Sequence, residues 1–133
     1  MASDTRRYID PSGTDRDWSY SQAIDTGETV YLSGQIGLDP TTRDLVSHTF
    51  QAEILQVFHN LASVCAASGG SLNSVVKTTV FLTDLKLFEE VNKAFTAKFT
   101  RPFPARSVVG VSELPRGARV EIEAVLSIAR QPS

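Results

Sequence analysis

Residues 75–82 read VVKTTVFL, a run rich in β-branched side chains and apolar at both alternating sets of positions. A strand with apolar residues on both of its faces suits the interior of a sheet better than a solvated edge. We therefore predict a central strand at Val75 to Leu82, around which the other elements are arranged.

Amphipathic helices are predicted on either side of this strand. Before it, apolar side chains recur at spacings of three and four over residues 49–68, and Gly69-Gly70 ends the pattern. After it, a second helix begins at Thr83-Asp84, a pair suited to N-capping, and ends before Pro102 and Pro104. Each helix carries one apolar stripe, so each has one face to bury.

Extended segments around turn-forming residues predict a β-hairpin near each end of the chain. The first hairpin pairs residues 21–24 with 29–36, and the second pairs residues 106–111 with 118–129. The order of elements is then ββαβαββ. This order predicts an α+β fold, a mixed five- to six-stranded sheet with both helices packed on one face.

The face of the sheet away from the helices is not plainly polar. In the last predicted strand one face is apolar and the other mixed, and Val75 and Phe81 place apolar side chains on one side of the central strand. Two helices cannot cover both faces of a single sheet. We therefore expect a homo-oligomer that packs sheet against sheet.

Length and composition indicate one globular domain over residues 1–133, with residues 1–15 as a partly flexible N-terminal segment. Thirteen Lys and Arg against fifteen Asp and Glu give a net charge of -2, without the basic excess that nucleic-acid binding requires. The N-terminus has no apolar stretch, and Cys65 has no second cysteine to pair with. We expect a soluble, cytoplasmic protein that binds neither nucleic acid nor membrane.

Arg106 is the first candidate for a functional residue. Pro102 and Pro104 fix an extended backbone immediately before Arg106 and Ser107, which orients both side chains. A guanidinium presents a planar fork of donors that matches a carboxylate. An exposed arginine at the end of a strand fits the same spacing equally well.

Two further features are weaker signals of a site. Glu121 and Glu123 share one face of the last strand, where two carboxylates could orient a water, although alternating glutamates more often form a solvated face or pair with a cation such as Arg119. Gly34 within a strand indicates a bulge or a close backbone approach, and a polar hairpin face is the alternative. His48 and His59 lack metal-ligand spacing, so we predict no metal site.

Taken together, these segments resemble the Rid family, the YjgF-like reactive intermediate deaminases that are often labelled L-PSP endoribonucleases. The resemblance runs over nearly the whole chain and is carried by residues 103–107, Leu114-Pro115, 120–124, Tyr20-Ser21-Gln22, 33–36, 76–80 and Val91-Asn92.

The resemblance implies a chorismate-mutase-like fold and a homotrimer whose sheets form a central barrel, with clefts between subunits. It implies hydrolytic deamination of 2-imino and 2-enamino acids to 2-keto acids and ammonia, of the 2-iminobutanoate/2-iminopropanoate deaminase type, without cofactor or metal. Arg106 would bind the substrate carboxylate and Glu121 would position the water. The expected substrate-binding residues are Tyr20, Ser33, Gly34, Asn92, Ser107 and Val108.

The sequence departs from the family pattern at two places. Val108 stands where well-known members often have cysteine, and Trp18-Ser19 stands where many have Gly-Pro before Tyr20. These differences leave open a specialised deaminase, such as one acting on 2-aminomuconate. A trimer that binds a small carboxylate without turnover is a second alternative, and ribonuclease activity, a third, is disfavoured by the acidic charge balance.

Overall fold

The computed structural model describes residues 5–11 and 19–129 of the chain. The helices and strands of this part follow one another as β1 (Arg7–Ile9), β2 (Ala23–Asp25), β3 (Thr29–Gln35), α1 (Phe50–Ala67), β4 (Val75–Leu82), α2 (Phe88–Lys98), β5 (Ala105–Gly110) and β6 (Val120–Ser127). No helix among the described residues combines the length and apolarity that a membrane span needs.

The strands form one six-stranded sheet in the order β1-β2-β3-β6-β4-β5. β4 and β5 are parallel, and every other neighbouring pair is antiparallel. The predicted mixed sheet of an α+β fold is confirmed. The predicted central position of β4 is confirmed as well, because this strand is paired on both sides, with β6 and with β5.

The predicted hairpin between β5 and β6 is wrong, because β4 lies between them. α2 returns the chain to the edge of the sheet, so β5 runs parallel to β4, and residues 111–119 then cross the end of β4 to begin β6 on its other side. Both ends of this crossing bond to the end of β4: Val111 N–H donates to Leu82 O at 2.8 Å, and Thr83 N–H donates to Arg119 O at 3.1 Å. β4 thus has β5 on one side and β6 on the other, so the turn between β5 and β6 does not join adjacent strands.

An edge strand that the sequence did not predict, β1, lies within the segment expected to be flexible. It pairs antiparallel with β2, Ile9 is buried, and Arg7 Nη2 donates to Asp25 Oδ2 at 2.7 Å. Residues 1–4 and 12–15 of that segment, like Trp18, lie outside the described residues.

Both helices pack on one face of the sheet. The predicted position of α1 is confirmed, and α2 begins at Phe88, later than the predicted start at Thr83-Asp84. Thr49 caps α1, its Oγ1 accepting from Ala52 N–H at 3.0 Å. Asp84 caps a single 3-10 turn that leads into α2. The helices meet through Phe58 of α1, whose ring lies 5.6 Å from that of Phe95 of α2 at a near-perpendicular angle. The alternate residues of β6 complete this core: Val120, Ile122, Ala124 and Leu126 are all buried.

Val75 and Phe81 do not share a face, contrary to the sequence-based expectation. A register shift between Val75 and Lys77 turns Val75 into the core, opposite Leu126, while Phe81 lies on the far face beside Glu121. That far face still carries apolar side chains, among them Tyr31 and Val109, which are about half exposed. Within the described chain nothing covers them, and the expected oligomer remains a prediction.

Candidate active site

Arg106 lies on β5 and points to the helix face of the sheet, because its register partner Thr78 is buried on that face. Its guanidinium carbon lies 5.3 Å from the ring centroid of Phe88 and 4.9 Å from that of Phe95, both on α2. Within the described residues its guanidinium forms no ion pair and donates no hydrogen bond. The aromatic rings therefore hold a half-buried cation whose N–H donors bind no anion in the described part of the chain.

Two other predicted residues lie beside Arg106, and one does not. Asn92 is half-buried on α2, four residues after Phe88 and three before Phe95, which places all three on one helix face. Val108 shares the face of Arg106 and packs against the core. Ser107 points to the opposite face, where its Oγ accepts a hydrogen bond from Lys77 Nζ at 3.1 Å. We call Arg106, Asn92, Val108, Phe88 and Phe95 the arginine side.

Glu121 lies on β6 and points to the other face of the sheet, away from the helices. Burial raises the pKa of its carboxyl above the ordinary value for glutamate, and the negative charge of nearby Glu123 raises it further. A carboxylate with a raised pKa is a better proton acceptor, which suits a group that takes a proton from water. Arg119, the cation that sequence spacing offered as a partner, pairs with Glu53 instead.

A bulge in β3 places Ser33 and Gly34 together against β6. Leu32 pairs with Ala124 and Gln35 pairs with Ile122, so two residues of β3 oppose the single residue Glu123. A Cβ built on Gly34 would overlap with Oε2 of Glu121 and lie 2.9 Å from its Cδ. The bulge predicted at Gly34 is therefore confirmed, and the group that lies close to Gly34 is the side chain of Glu121.

A cavity of about 860 Å³ opens around these groups. Tyr20, which is 55% exposed, lines it with Ser33, Gly34 and Glu121. Ser33 Oγ donates to Ser21 O at 2.6 Å, which fixes the hydroxyl against the neighbouring segment. We call Tyr20, Ser33, Gly34 and Glu121 the glutamate side. Arg106 does not line this cavity.

The two sides do not meet within one chain. Arg106 of β5 pairs with Thr78 of β4, and Thr78 pairs with Ala124 of β6. Arg106 and Ala124 therefore share the helix face of the sheet, while Glu121 lies on the opposite face. The backbones of Arg106 and Glu121 therefore lie about 10 Å apart across the strands, which is two strand spacings. They also lie about 10 Å apart along β6, which is three residues. A small substrate cannot reach both side chains of the same chain.

The sequence did not reveal three residues that support the site. In the sequence, Phe88 and Phe95 are part of the apolar stripe of α2, and only the register of β5 brings Arg106 over them. Asn60 of α1 holds the segment after β3, because its Nδ2 donates to Ile36 O at 3.0 Å and to Leu38 O at 2.9 Å. A lone polar residue at the edge of the helix stripe was the available signal for Asn60.

A buried ion pair supports the start of β6. Glu53 of α1 has no exposed surface, and its carboxylate accepts from both N–H and Nε of Arg119 at 2.7 Å. This contact joins α1 to the strand that carries Glu121. The described residues contain no group of three or more His, Cys, Asp or Glu side chains that could hold a metal ion.

Comparison with known proteins finds a matching family, similar sequences and similar structures. The family model described as Endoribonuclease L-PSP matches residues 15–128. A 2-iminobutanoate/2-iminopropanoate deaminase from Dermatophagoides farinae is 46% identical over 82% of this chain and 85% of its own, and the Homo sapiens protein of that name is 44% identical over 80% and 77%. The crystal structure of RidA from an Antarctic Psychrobacter is 46% identical, covers 92% of this chain and 99% of its own, and has a TM-score of 0.85.

Proposed function

Because the chain belongs to the Endoribonuclease L-PSP family, the Rid family that its sequence resembles, we propose that it is a hydrolytic deaminase of 2-imino and 2-enamino acids. The products are a 2-keto acid and ammonia. The observation that carries this proposal is the guanidinium of Arg106, held on two aromatic rings with no anion of the described chain as its partner.

Arg106 binds the carboxylate of the substrate. The rings of Phe88 and Phe95 lie against the guanidinium and leave N–H donors free to grip both carboxylate oxygens. Asn92, on the same face of α2, lies where it can contact the substrate beside the carboxylate. Binding at this end fixes the position of the electrophilic carbon.

Glu121 positions the water and accepts its proton. The water oxygen bonds to the iminium carbon, the C–N bond then breaks with proton transfer to nitrogen, and the carbonyl of the keto acid and ammonia result. An iminium carbon is already electrophilic, so an oriented water and a proton acceptor suffice, and the reaction as proposed uses no metal or organic cofactor.

The active cleft forms between copies of the chain, with the arginine side of one subunit facing the glutamate side of another. The placement of Arg106 and Glu121 on opposite faces supports this assembly, because neither side is complete alone. The half-exposed Tyr31 and Val109 on the face without helices support it too, since a second sheet would bury them. We infer a homotrimer with a central barrel of sheets. We place it in the cytoplasm, because a single cysteine forms no internal disulfide and suits a reducing compartment.

Ammonia release from 2-iminobutanoate, generated in the assay by an amino-acid oxidase, tests the activity. We expect the wild-type chain to speed release above the uncatalysed rate, and Arg106→Ala to abolish most of this acceleration. Arg101→Ala is the matched control, because Arg101 also lies over an aromatic ring, that of exposed Phe103 at 5.5 Å. Undiminished release by Arg106→Ala would overturn the role of Arg106 as carboxylate anchor.

Glu121→Gln separates catalysis from binding without turnover. In a deaminase this variant keeps keto-acid binding and loses ammonia release, because the amide cannot accept the proton. If the wild-type protein binds keto acids but deaminates no small imino acid, the chain is a carboxylate-binding protein and the proposed function is wrong.

A further inference from the structure

Two arginines that no step of the proposed reaction uses, Arg43 and Arg116, line the cavity of the glutamate side. Arg43 lies between β3 and α1, and Arg116 lies in the turn before β6, 73 residues further along the chain. Nη2 of Arg116 donates a 2.9 Å hydrogen bond to the backbone oxygen of Arg43. This bond fixes one corner of the Arg116 guanidinium at the cavity wall.

Both residues have left-handed backbone conformations, with φ of 68° at Arg43 and 63° at Arg116. They are the only non-glycine residues with positive φ in residues 5–11 and 19–129. Contact between Cβ and the backbone disfavours this region for any residue except glycine, which would serve a plain turn better. Residues kept in such conformations concentrate where ligands are clamped. This conformation at Arg116, whose side chain is held by the backbone of Arg43 on one cavity wall, indicates a use for the Arg116 side chain.

The charge of Arg116 is not neutralised by the described chain, in which it forms no ion pair. Besides Glu121, two carboxylates line the cavity. That of Asp39 accepts hydrogen bonds from the backbone N–H groups of Thr41 and Thr42, and that of Asp10 accepts one from Tyr8. Within the described residues Arg43 O is the only hydrogen-bond partner of Arg116, whose other donors are available to a ligand.

We propose that Arg116, supported by Arg43, binds a second carboxylate, so that the preferred substrates are dicarboxylic 2-imino acids such as 2-iminoglutarate. This inference rests on the proposed function. The α-carboxylate binds Arg106 of one copy, and the distal carboxylate binds Arg116 of the copy that supplies Glu121. A cavity of about 860 Å³ lies in the range that holds drug-sized ligands, which is far more than a four-carbon imino acid fills.

Calorimetric binding of two stable products tests the subsite without turnover. 2-Oxoglutarate carries the distal carboxylate and 2-oxobutanoate lacks it. We expect Arg116→Ala to lower the ratio of the two affinities, 2-oxoglutarate over 2-oxobutanoate, by about tenfold or more, the loss of one or two charge-assisted hydrogen bonds. Arg116→Gly suits the left-handed backbone and should fold even if the alanine variant does not. Lys93→Ala, on an exposed part of α2, is the control for loss of one positive charge.

Deamination of 2-iminoglutarate and 2-iminobutanoate, each generated by an oxidase, completes the test. The subsite predicts that Arg116→Gly lowers the ratio of kcat/KM for these substrates by a similar factor. An unchanged ratio in both assays would overturn the subsite while leaving the deaminase intact. Loss of the binding ratio in a protein that deaminates neither substrate would sink the proposed function and keep the subsite.

Discussion

At the scale of single residues, carboxylate binding by Arg106, as proposed, depends on the planarity of its guanidinium. A flat guanidinium can lie over Phe88 and Phe95 and still present N–H donors at its edge, whereas an ammonium cannot do both. We predict that Arg106→Lys keeps the charge but lowers kcat/KM for 2-iminobutanoate by about tenfold to a hundredfold, the value of one charge-assisted hydrogen bond. Steady-state kinetics measure this loss.

Arg101→Lys is the control for this substitution, because it makes the same exchange beside an aromatic ring outside the site. If Arg106→Lys retains the full kcat/KM, a positive charge alone is sufficient, and the proposed role of the planar guanidinium donors is wrong.

The pH dependence of the reaction should follow Glu121. Its pKa is raised by burial first and by the charge of Glu123 second, and the group must be deprotonated to accept a proton. Activity is therefore lost as the pH falls through this raised pKa. We predict that Glu123→Gln moves the acid limb of the kcat/KM profile to lower pH, and only partly so because burial remains. A profile measured from about pH 4 to 8 shows the shift. An acid limb that stays in place or moves upward would contradict this assignment.

The sequence supplied the residue types of the site but not their directions. Two prolines before Arg106 indicated an oriented arginine, yet its position over Phe88 and Phe95 follows from the pairing of Arg106 with Thr78, a contact between distant segments. The same pairing turns Ser107 to the opposite face. Local spacing holds no information on such a register. From the sequence alone, an exposed arginine at the end of a strand was therefore as good an interpretation as a carboxylate-binding one.

At the scale of elements, the bulge in β3 makes room for the carboxylate of Glu121. We predict that Gly34→Ala lowers kcat by about a hundredfold, because the new Cβ would displace Oε2 and misplace the water. Binding of 2-oxobutanoate through Arg106 should weaken much less. Kinetics and calorimetry together give this split.

A double-mutant cycle distinguishes this effect from general damage to β3. In a Glu121→Ala background the overlap is absent, so Gly34→Ala should change neither Tm nor the residual rate further. Equal destabilisation by Gly34→Ala in both backgrounds would show that the strand itself, and not the carboxylate, excludes a side chain.

The segment between β3 and α1 retains a strained residue at Arg43. Glycine has no Cβ and adopts a φ of 68° without strain. We therefore predict that Arg43→Gly raises the free energy of unfolding by about 1 kcal/mol. The backbone oxygen that accepts from Arg116 remains in this variant, so 2-oxoglutarate binding should change much less than in Arg116→Gly. Urea unfolding measures the first effect, with Arg101→Gly, at an exposed position without positive φ, as the comparison. A loss of stability in Arg43→Gly would show that contacts of the Arg43 side chain outweigh the backbone strain.

Elements that local pattern determines were predicted well, and those that distant pairing determines were not. The stripes of α1 and α2 and the apolar run of β4 repeat over adjacent residues, so sequence shows them directly. The turn at Leu114-Pro115 looks like a hairpin turn, but the sheet inserts β4 between β5 and β6. Three-residue β1 is too short for a periodic signal and is held by pairing with β2.

At the scale of the whole molecule, the sheet separates the two halves of the chemistry. The arginine side lies on the helix face at β5, and the glutamate side lies on the far face at β3 and β6. An active cleft that uses both must take one side from each of two copies. Two variants that are each inactive for a different reason should therefore complement each other.

We predict that mixed trimers of Arg106→Ala and Glu121→Gln subunits recover activity that neither variant has alone. In a ring of three subunits, either mixed composition contains one cleft with both wild-type residues, so purified mixed trimers should show about one third of wild-type activity. Co-expression with two different affinity tags isolates these mixed trimers, and ammonia release from 2-iminobutanoate measures their activity.

A pair of variants on the same side provides the control. Mixing Glu121→Gln with Gly34→Ala should recover nothing beyond the residual Gly34→Ala activity, because every subunit then carries a defective glutamate side and no arrangement around the ring restores one. Recovery in the first pair without recovery in the second is the pattern that a cleft between subunits requires. If purified mixed trimers of Arg106→Ala and Glu121→Gln stay inactive, Arg106 and Glu121 do not serve the same cleft, and the position of Arg106 on the opposite face would need another explanation.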